Sequence, residues 1–136
     1  MLLGQKLKPR SRTCKVPGVP HLVLEISENV LERPGEGFFR GLHDLALQHA
    51  PFDLKDLKSR VIVHQNYYIG DGSQSNAFIH LGIAMLAGRE TEIRQNLSAA
   101  MLTYLRTAFA ESLATLRCRL TVEVREIEPS THSKLA

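Results

Sequence analysis

Residues 77–86 read Ala77-Phe78-Ile79-His80-Leu81-Gly82-Ile83-Ala84-Met85-Leu86. Apolar residues fall on both sides of the alternation. That is the pattern of a strand covered on both faces, and therefore central in its sheet. Ile69-Gly70-Asp71-Gly72-Ser73, just before it, is a strong turn signal.

Toward the C-terminus, Gly88-Arg89-Glu90-Thr91-Glu92 opens a helix over about 90–113. Its acidic residues sit at the positive end of the helix dipole. Ile93, Leu97, Ala100, Met101, Tyr104, Leu105, Ala108 and Leu113 give it an apolar stripe. Residues 117–127, RCRLTVEVREI, then alternate cleanly. Cys118, Leu120, Val122 and Val124 face one way, and Arg117, Arg119, Thr121, Glu123 and Arg125 the other, as in a half-exposed strand. Toward the N-terminus, 60–65 (RVIVHQ) is a strand. Phe38, Phe39, Leu42, Leu45, Ala46 and His49 recur at three- and four-residue steps, a helix over about 37–50 that Pro51 stops. Leu22-Val23-Leu24-Glu25-Ile26 is a first strand with Leu22, Leu24 and Ile26 on one face.

The order is β-α-β, a turn, then β-α-β again. Right-handed crossovers make each unit a parallel pair. The expected fold is α+β: two consecutive β-α-β units forming a four-stranded mixed sheet with two helices on one face. Helices on one face leave the other face of the central strand bare, which predicts an oligomer that buries it.

A chain of 136 residues, 43% hydrophobic and 23% charged, suits one domain with a real core. No apolar run approaches the roughly 18–20 residues of a membrane span. Cys14 and Cys118 make no disulfide framework, so a reducing compartment, the cytoplasm, is expected. The chain holds 17 Lys and Arg against 14 Asp and Glu. Five of the cations, Lys6, Lys8, Arg10, Arg12 and Lys15, fall in residues 1–19 with no acid among them, leaving 12 against 14 beyond. The basic character thus belongs to a disordered N-terminal arm, residues 1–19, ahead of a mildly acidic domain over 20–128 and a polar tail over 129–136. Such a domain gives no electrostatic reason to expect nucleic acid as a partner.

Metal-ligand spacing is absent from the scattered histidines 21, 43, 49, 64, 80 and 132; His64 and His80 facing each other across a hairpin is the one weak candidate pair. Gly70-Asp71-Gly72 is a turn, and Gly35 and Gly37 lack the lysine of a phosphate loop. Nothing marks a nucleophilic serine or cysteine.

Pro20, at the head of the first strand, stands out. Within a chain its nitrogen is a tertiary amide. At a free N-terminus it is a secondary amine, and burial or nearby cations would lower its pKa by penalising the charged form. A proline amine tuned toward neutrality can shuttle a proton at physiological pH.

PHLVLEIS from Pro20, Lys58-Ser59-Arg60-Val61, the Asp71-Gly72 turn, Ala77-Phe78-Ile79-His80 and Ala87-Gly88-Arg89 together resemble the 5-carboxymethyl-2-hydroxymuconate Δ-isomerase family of the tautomerase superfamily. The resemblance spans Pro20 to about Glu128. It implies a homotrimer and an amino-terminal proline base, for which Pro20 is the match. It implies a cofactor-independent isomerase that moves a proton on an unsaturated polycarboxylate from aromatic-acid catabolism. It points to Arg89, at a helix start, as one substrate cation; a helix N-terminus and a bidentate guanidinium both suit a carboxylate. Lys58 stands where the family typically has arginine, and Arg60 matches a second family arginine. Lysine keeps the charge and loses the fork. Phe78, with Phe39 and Phe52, can line an apolar pocket, though core packing is the commoner role for each. The competing reading is a catalytically inactive trimer on the same scaffold that binds ligands or partners. Amine chemistry requires that residues 1–19 be absent, and initiation at Val19 followed by methionine removal would expose Pro20.

Overall fold

The computed structural model describes residues 19–135. The expected arm therefore lies outside the described residues except for Val19, which is buried. The elements are β1 (His21–Ser27), α1 (Glu36–His49), β2 (Lys58–His64), β3 (Asn76–Leu86), α2 (Thr91–Ala108), α3 (Ala110–Thr115) and β4 (Arg117–Ile127). Single 3-10 turns sit at Leu54–Asp56 and Pro129–Thr131.

The sheet order is β2-β1-β3-β4. β1 runs parallel to β2, and β3 parallel to β4. The two pairs join antiparallel through β1 and β3, with His21 opposite Ala84 and Ile26 opposite Ile79. This is the expected four-stranded mixed sheet, with 77–86 in its interior. The N-terminal ends of β1 and β2 consequently lie beside the C-terminal ends of β3 and β4.

One face carries the core. Leu22, Leu24 and Ile26 of β1 and Ala77, Ile79, Leu81, Ile83 and Met85 of β3 pack against Leu42 and Ala46 of α1 and Leu97, Met101 and Leu105 of α2. The helices meet closely at Gly41, where an added Cβ would collide with the Tyr104 ring. The Tyr104 hydroxyl donates to the Phe38 carbonyl at 2.8 Å.

Four expectations change. The long helix ends at Ala108 and restarts at Ala110, because Phe109 leaves helical geometry (φ −115, ψ 30) with its side chain in the core. The short helix that follows is capped from afar: the Glu111 and Ser112 N–H groups donate to Glu32 Oε2 at 2.9 and 3.2 Å. β2 begins at Lys58 rather than residue 60. Nor is β3 apolar on both faces. Its second face presents Phe78, His80, Gly82, Ala84 and Leu86, all partly exposed. Around them stand Glu25, His64, Thr121, Glu123 and Arg125, so the open face is mixed rather than oily. His64 and His80 are not hairpin neighbours, since β1 runs between their strands.

Candidate active site

Pro20 immediately precedes β1 and is buried together with Val19. Its carbonyl accepts the Lys58 N–H at 3.4 Å. His21 lies opposite both Lys58 and Ala84, so Pro20 sits where β2 starts and β3 is finishing. Paired residues share a face, which puts the side chains of Lys58 and Arg60 on the open face with His21.

The basic groups are placed by different means. Lys58 Nζ donates to the Asp56 carbonyl at 2.7 Å. The Arg60 guanidinium donates from Nη1 to His21 Nδ1, 3.3 Å away. That bond requires Nδ1 to be an acceptor, so the neutral ring carries its proton on Nε2. Burial, and then the positive charge of Lys58, Arg60 and His132, lowers the His21 pKa below the ordinary histidine value. An imidazole held neutral among cations can donate a hydrogen bond without adding charge.

Arg89 follows the end of β3. The Ala87 N–H is held on the Ile127 carbonyl at 2.9 Å. Gly88 then turns the chain at φ +118, an angle that suits glycine; a Cβ there would meet nothing, so the backbone and not the space demands it. Arg89 is half-buried just before α2, and its Nε is buried with no hydrogen-bond partner among the described residues. An orphaned buried donor costs about 1–3 kcal/mol. A guanidinium left in that state beside a helix N-terminus can accommodate a carboxylate. Glu90, at the cap position of α2, contributes no side-chain cap bond.

Four of the sequence-derived residues thus share one end of the sheet: Pro20, Lys58, Arg60 and Arg89. Phe78 does not join them within one chain. It lies opposite the far end of β1, with its N–H on Ser27 Oγ at 3.0 Å and its ring against His64 and Tyr67. Seven residues of extended strand separate it from Met85, about 23 Å. Phe52 is core and Phe39 packs against the core. Sequence reasoning passed over His21, although it adjoins Pro20 in the same stretch.

A family model described as 5-carboxymethyl-2-hydroxymuconate isomerase matches residues 20–136, starting on Pro20 itself. The chain belongs to this family. Among its relatives is the 5-carboxymethyl-2-hydroxymuconate Delta-isomerase of Escherichia coli, 26% identical over 117 residues, which covers 85% of this chain and 93% of that one. The crystal structure of a 5-carboxymethyl-2-hydroxymuconate isomerase from Deinococcus radiodurans R1 superposes with a TM-score of 0.79 at 26% identity, covering 85% and 88% of the two chains. A fused 4-OT solved as a symmetric trimer shares the fold, with a TM-score of 0.67 at 18% identity over 85% and 91%. The protein is therefore a tautomerase-fold isomerase of the 5-carboxymethyl-2-hydroxymuconate isomerase family. No helix among the described residues is long and apolar enough to cross a membrane.

Proposed function

We propose that this isomerase acts without a cofactor on a 5-carboxymethyl-2-hydroxymuconate-like polycarboxylate of aromatic-acid catabolism, in the cytoplasm, with the free amine of Pro20 as base. The amine takes the proton of the 2-hydroxyl group. The O–H electrons form the 2-oxo group, the double bonds shift along the diene, and the carbon at its far end receives a proton back from the ammonium. The 2-oxo acid is its own electron sink, so no redox partner enters the balance. Arg89 grips one carboxylate, and Lys58 and Arg60 attract others.

The observation that carries this reading is the convergence of a buried Pro20 with Arg89, a cation whose buried Nε nothing in the described chain uses. Val19 adds support. It is buried and bonded to the Pro20 nitrogen, so its removal would leave the amine in the recess that the Val19 side chain occupies. An amine in such a recess, near cations, has its pKa pulled toward neutrality. An intact Val19–Pro20 bond makes that nitrogen a tertiary amide with no basic lone pair, so the working chain begins at Pro20, through initiation at Val19 and loss of the methionine. The working form is a homotrimer, as the fused 4-OT neighbour is a symmetric trimer.

Protein beginning at Pro20 should ketonise 5-carboxymethyl-2-hydroxymuconate, read as loss of dienol absorbance, and acylation of the amine should stop it. Equal activity in a form that retains residues 1–19 would refute the amine mechanism. A native-host intact mass that includes them would refute the start. A trimmed trimer that binds polycarboxylates without converting them would instead favour the non-catalytic, ligand-binding reading.

A further inference from the structure

Arg60 is a long side chain on an edge strand, and the register gives its guanidinium two places to go. On the open face it stands opposite Val23, with His21 two residues before Val23 on β1 and Glu25 two residues after it. Charge alone would draw it to Glu25. That carboxylate is already engaged: Glu25 Oε1 accepts from His64 Nε2 at 2.8 Å. Arg60 turns the other way and donates from Nη1 to His21 Nδ1 at 3.3 Å. The two bonds share one offset, since His64 stands opposite Ser27 and also reaches back two residues along β1. The effect is to carry the Arg60 head toward Pro20.

The identity of the partner sets what Arg60 can still do. A carboxylate would neutralise the arginine and compete with any anion that came to it. A neutral imidazole accepts one N–H, and the positive charge and the remaining donors stay available to an anion. It also restrains a flexible stem before a ligand arrives, which lowers the ordering cost of binding. Nδ1 accepts only while the ring is neutral. Burial, and then Lys58, Arg60 and His132, keep the His21 pKa below the ordinary value, so the accepting form is the resting one at neutral pH.

The other acids of this region are placed differently. Glu123, on the open face, stands between His80 and Arg125 at 3.5 and 3.8 Å. Glu90 and Glu92 begin α2, and Glu126, opposite Met85, pairs with Arg94 of α2 at 3.4 Å. Met85 and α2 belong to the helix-covered face. Asp56 precedes β2, and its carbonyl holds Lys58 Nζ.

We propose that His21 is a positioning residue: it holds the Arg60 guanidinium at the Pro20 end of the open face, with its charge intact, to receive a substrate carboxylate. That Arg60 meets substrate rests on the function proposed above; the coupling of His21 to Arg60 does not.

The test is a double-mutant cycle on the full chain, read by calorimetry at pH 7.5 and low ionic strength with propane-1,2,3-tricarboxylate, which cannot be turned over. Arg60→Gln should weaken the anion by about 10-fold, and His21→Leu by about 4-fold, the range of one net hydrogen bond. With Arg60 already glutamine, His21→Leu should cost less than about 1.5-fold, because it acts only through the guanidinium. His21→Asn, whose amide oxygen can accept in place of Nδ1, should keep affinity within about 2-fold of the parent. Followed by NMR, the His21 ring should titrate at higher pH in Arg60→Gln than in the parent. Additive losses overturn the proposal. So does a His21→Asn variant as weak as His21→Leu, a His21 titration unmoved by Arg60→Gln, or a parent chain that does not bind the tricarboxylate. If the cycle holds while protein beginning at Pro20 fails to convert 5-carboxymethyl-2-hydroxymuconate, the proposed reaction falls and the positioning role stands.

Discussion

Arg89→Met should move stability and activity in opposite directions. Arg89 Nε is buried and unpartnered among the described residues, which costs the folded state about 1–3 kcal/mol. Methionine keeps the length of the stem and removes the orphaned donor. The unfolding free energy should therefore stay level or rise by about 1 kcal/mol, read by urea titration with far-ultraviolet circular dichroism. Activity should fall. A charge-assisted, bidentate grip on a carboxylate is worth about 2–4 kcal/mol in the transition state, which corresponds to a drop of roughly 30- to 1000-fold in kcat/KM for protein beginning at Pro20. Arg89→Lys keeps the charge without the fork, so it should lose about 1–2 kcal/mol, or roughly 5- to 30-fold. Opposed signs are what a group held in strain for function produces. Loss of more than about 1 kcal/mol of stability in Arg89→Met, with kcat/KM within about threefold of the parent, would make Arg89 a structural residue and refute the reasoning.

Three further outcomes follow from other contacts. Glu32→Gln should destabilise the fold by about 1 kcal/mol, because the carboxylate caps α3 through the Glu111 and Ser112 N–H groups. Burial raises the Glu32 pKa, but the Ser112 hydroxyl and backbone bonds outweigh it and hold the group below the ordinary carboxylate value. Its contribution is thus present above the unfolded pKa and lost as pH falls through the folded one, so the Glu32→Gln difference should shrink in strong acid. Gly41→Ala should destabilise by about 1–3 kcal/mol despite alanine's better helix propensity, since the methyl meets Tyr104, and adding Tyr104→Phe should recover part of the loss in thermal melts. His21 and His43 both have pKa values lowered chiefly by burial. The unfolded chain therefore binds protons first, stability should decline as pH falls through and below about 6.5, and His43→Gln should flatten that decline in urea titrations.

How far the sequence can be read depends on whether the deciding interaction is local. RCRLTVEVREI alternates, and β4 occupies that span, Arg117–Ile127. Periodicity also found the interior position of β3, because Ala77, Ile79, Leu81, Ile83 and Met85 fill the core. It misjudged the other face by weighing Phe78, Ala84 and Leu86 above His80, whose partners Thr121 and Glu123 come from another strand. The break at Phe109 was illegible for the same reason. The stripe continues through it, and the cap that lets a second helix start is Glu32, some eighty residues earlier in the chain. Among the site residues, Pro20, Lys58, Arg60 and Arg89 fall together because parallel pairing sets the start of β2 beside the start of β1, and antiparallel pairing sets the end of β3 there too. Phe78 was chosen by residue type, and register places it at the opposite end.

The mixed open face bears on assembly. Burying bare charge in a subunit interface is costly, and at first sight this face is a poor one to cover. Its charges, however, are largely paired within the chain. His64 Nε2 meets Glu25 Oε1 at 2.8 Å, His80 Nδ1 meets Thr121 Oγ1 at 2.7 Å, and Glu123 stands between His80 and Arg125 at 3.5 and 3.8 Å. These pairs cross from β2 to β1 and from β3 to β4, so they brace the parallel pairs while leaving Val23, Gly82 and Ala84 as small apolar ground between them. Another copy can approach such ground without stranding an ion. The cations at the Pro20 end are different: Arg89 Nε has no partner among the described residues, and Lys58 donates from its ammonium to a backbone carbonyl. On the function proposed above, the face whose charges are internally satisfied would serve assembly, and the end whose charges are not would serve substrate binding.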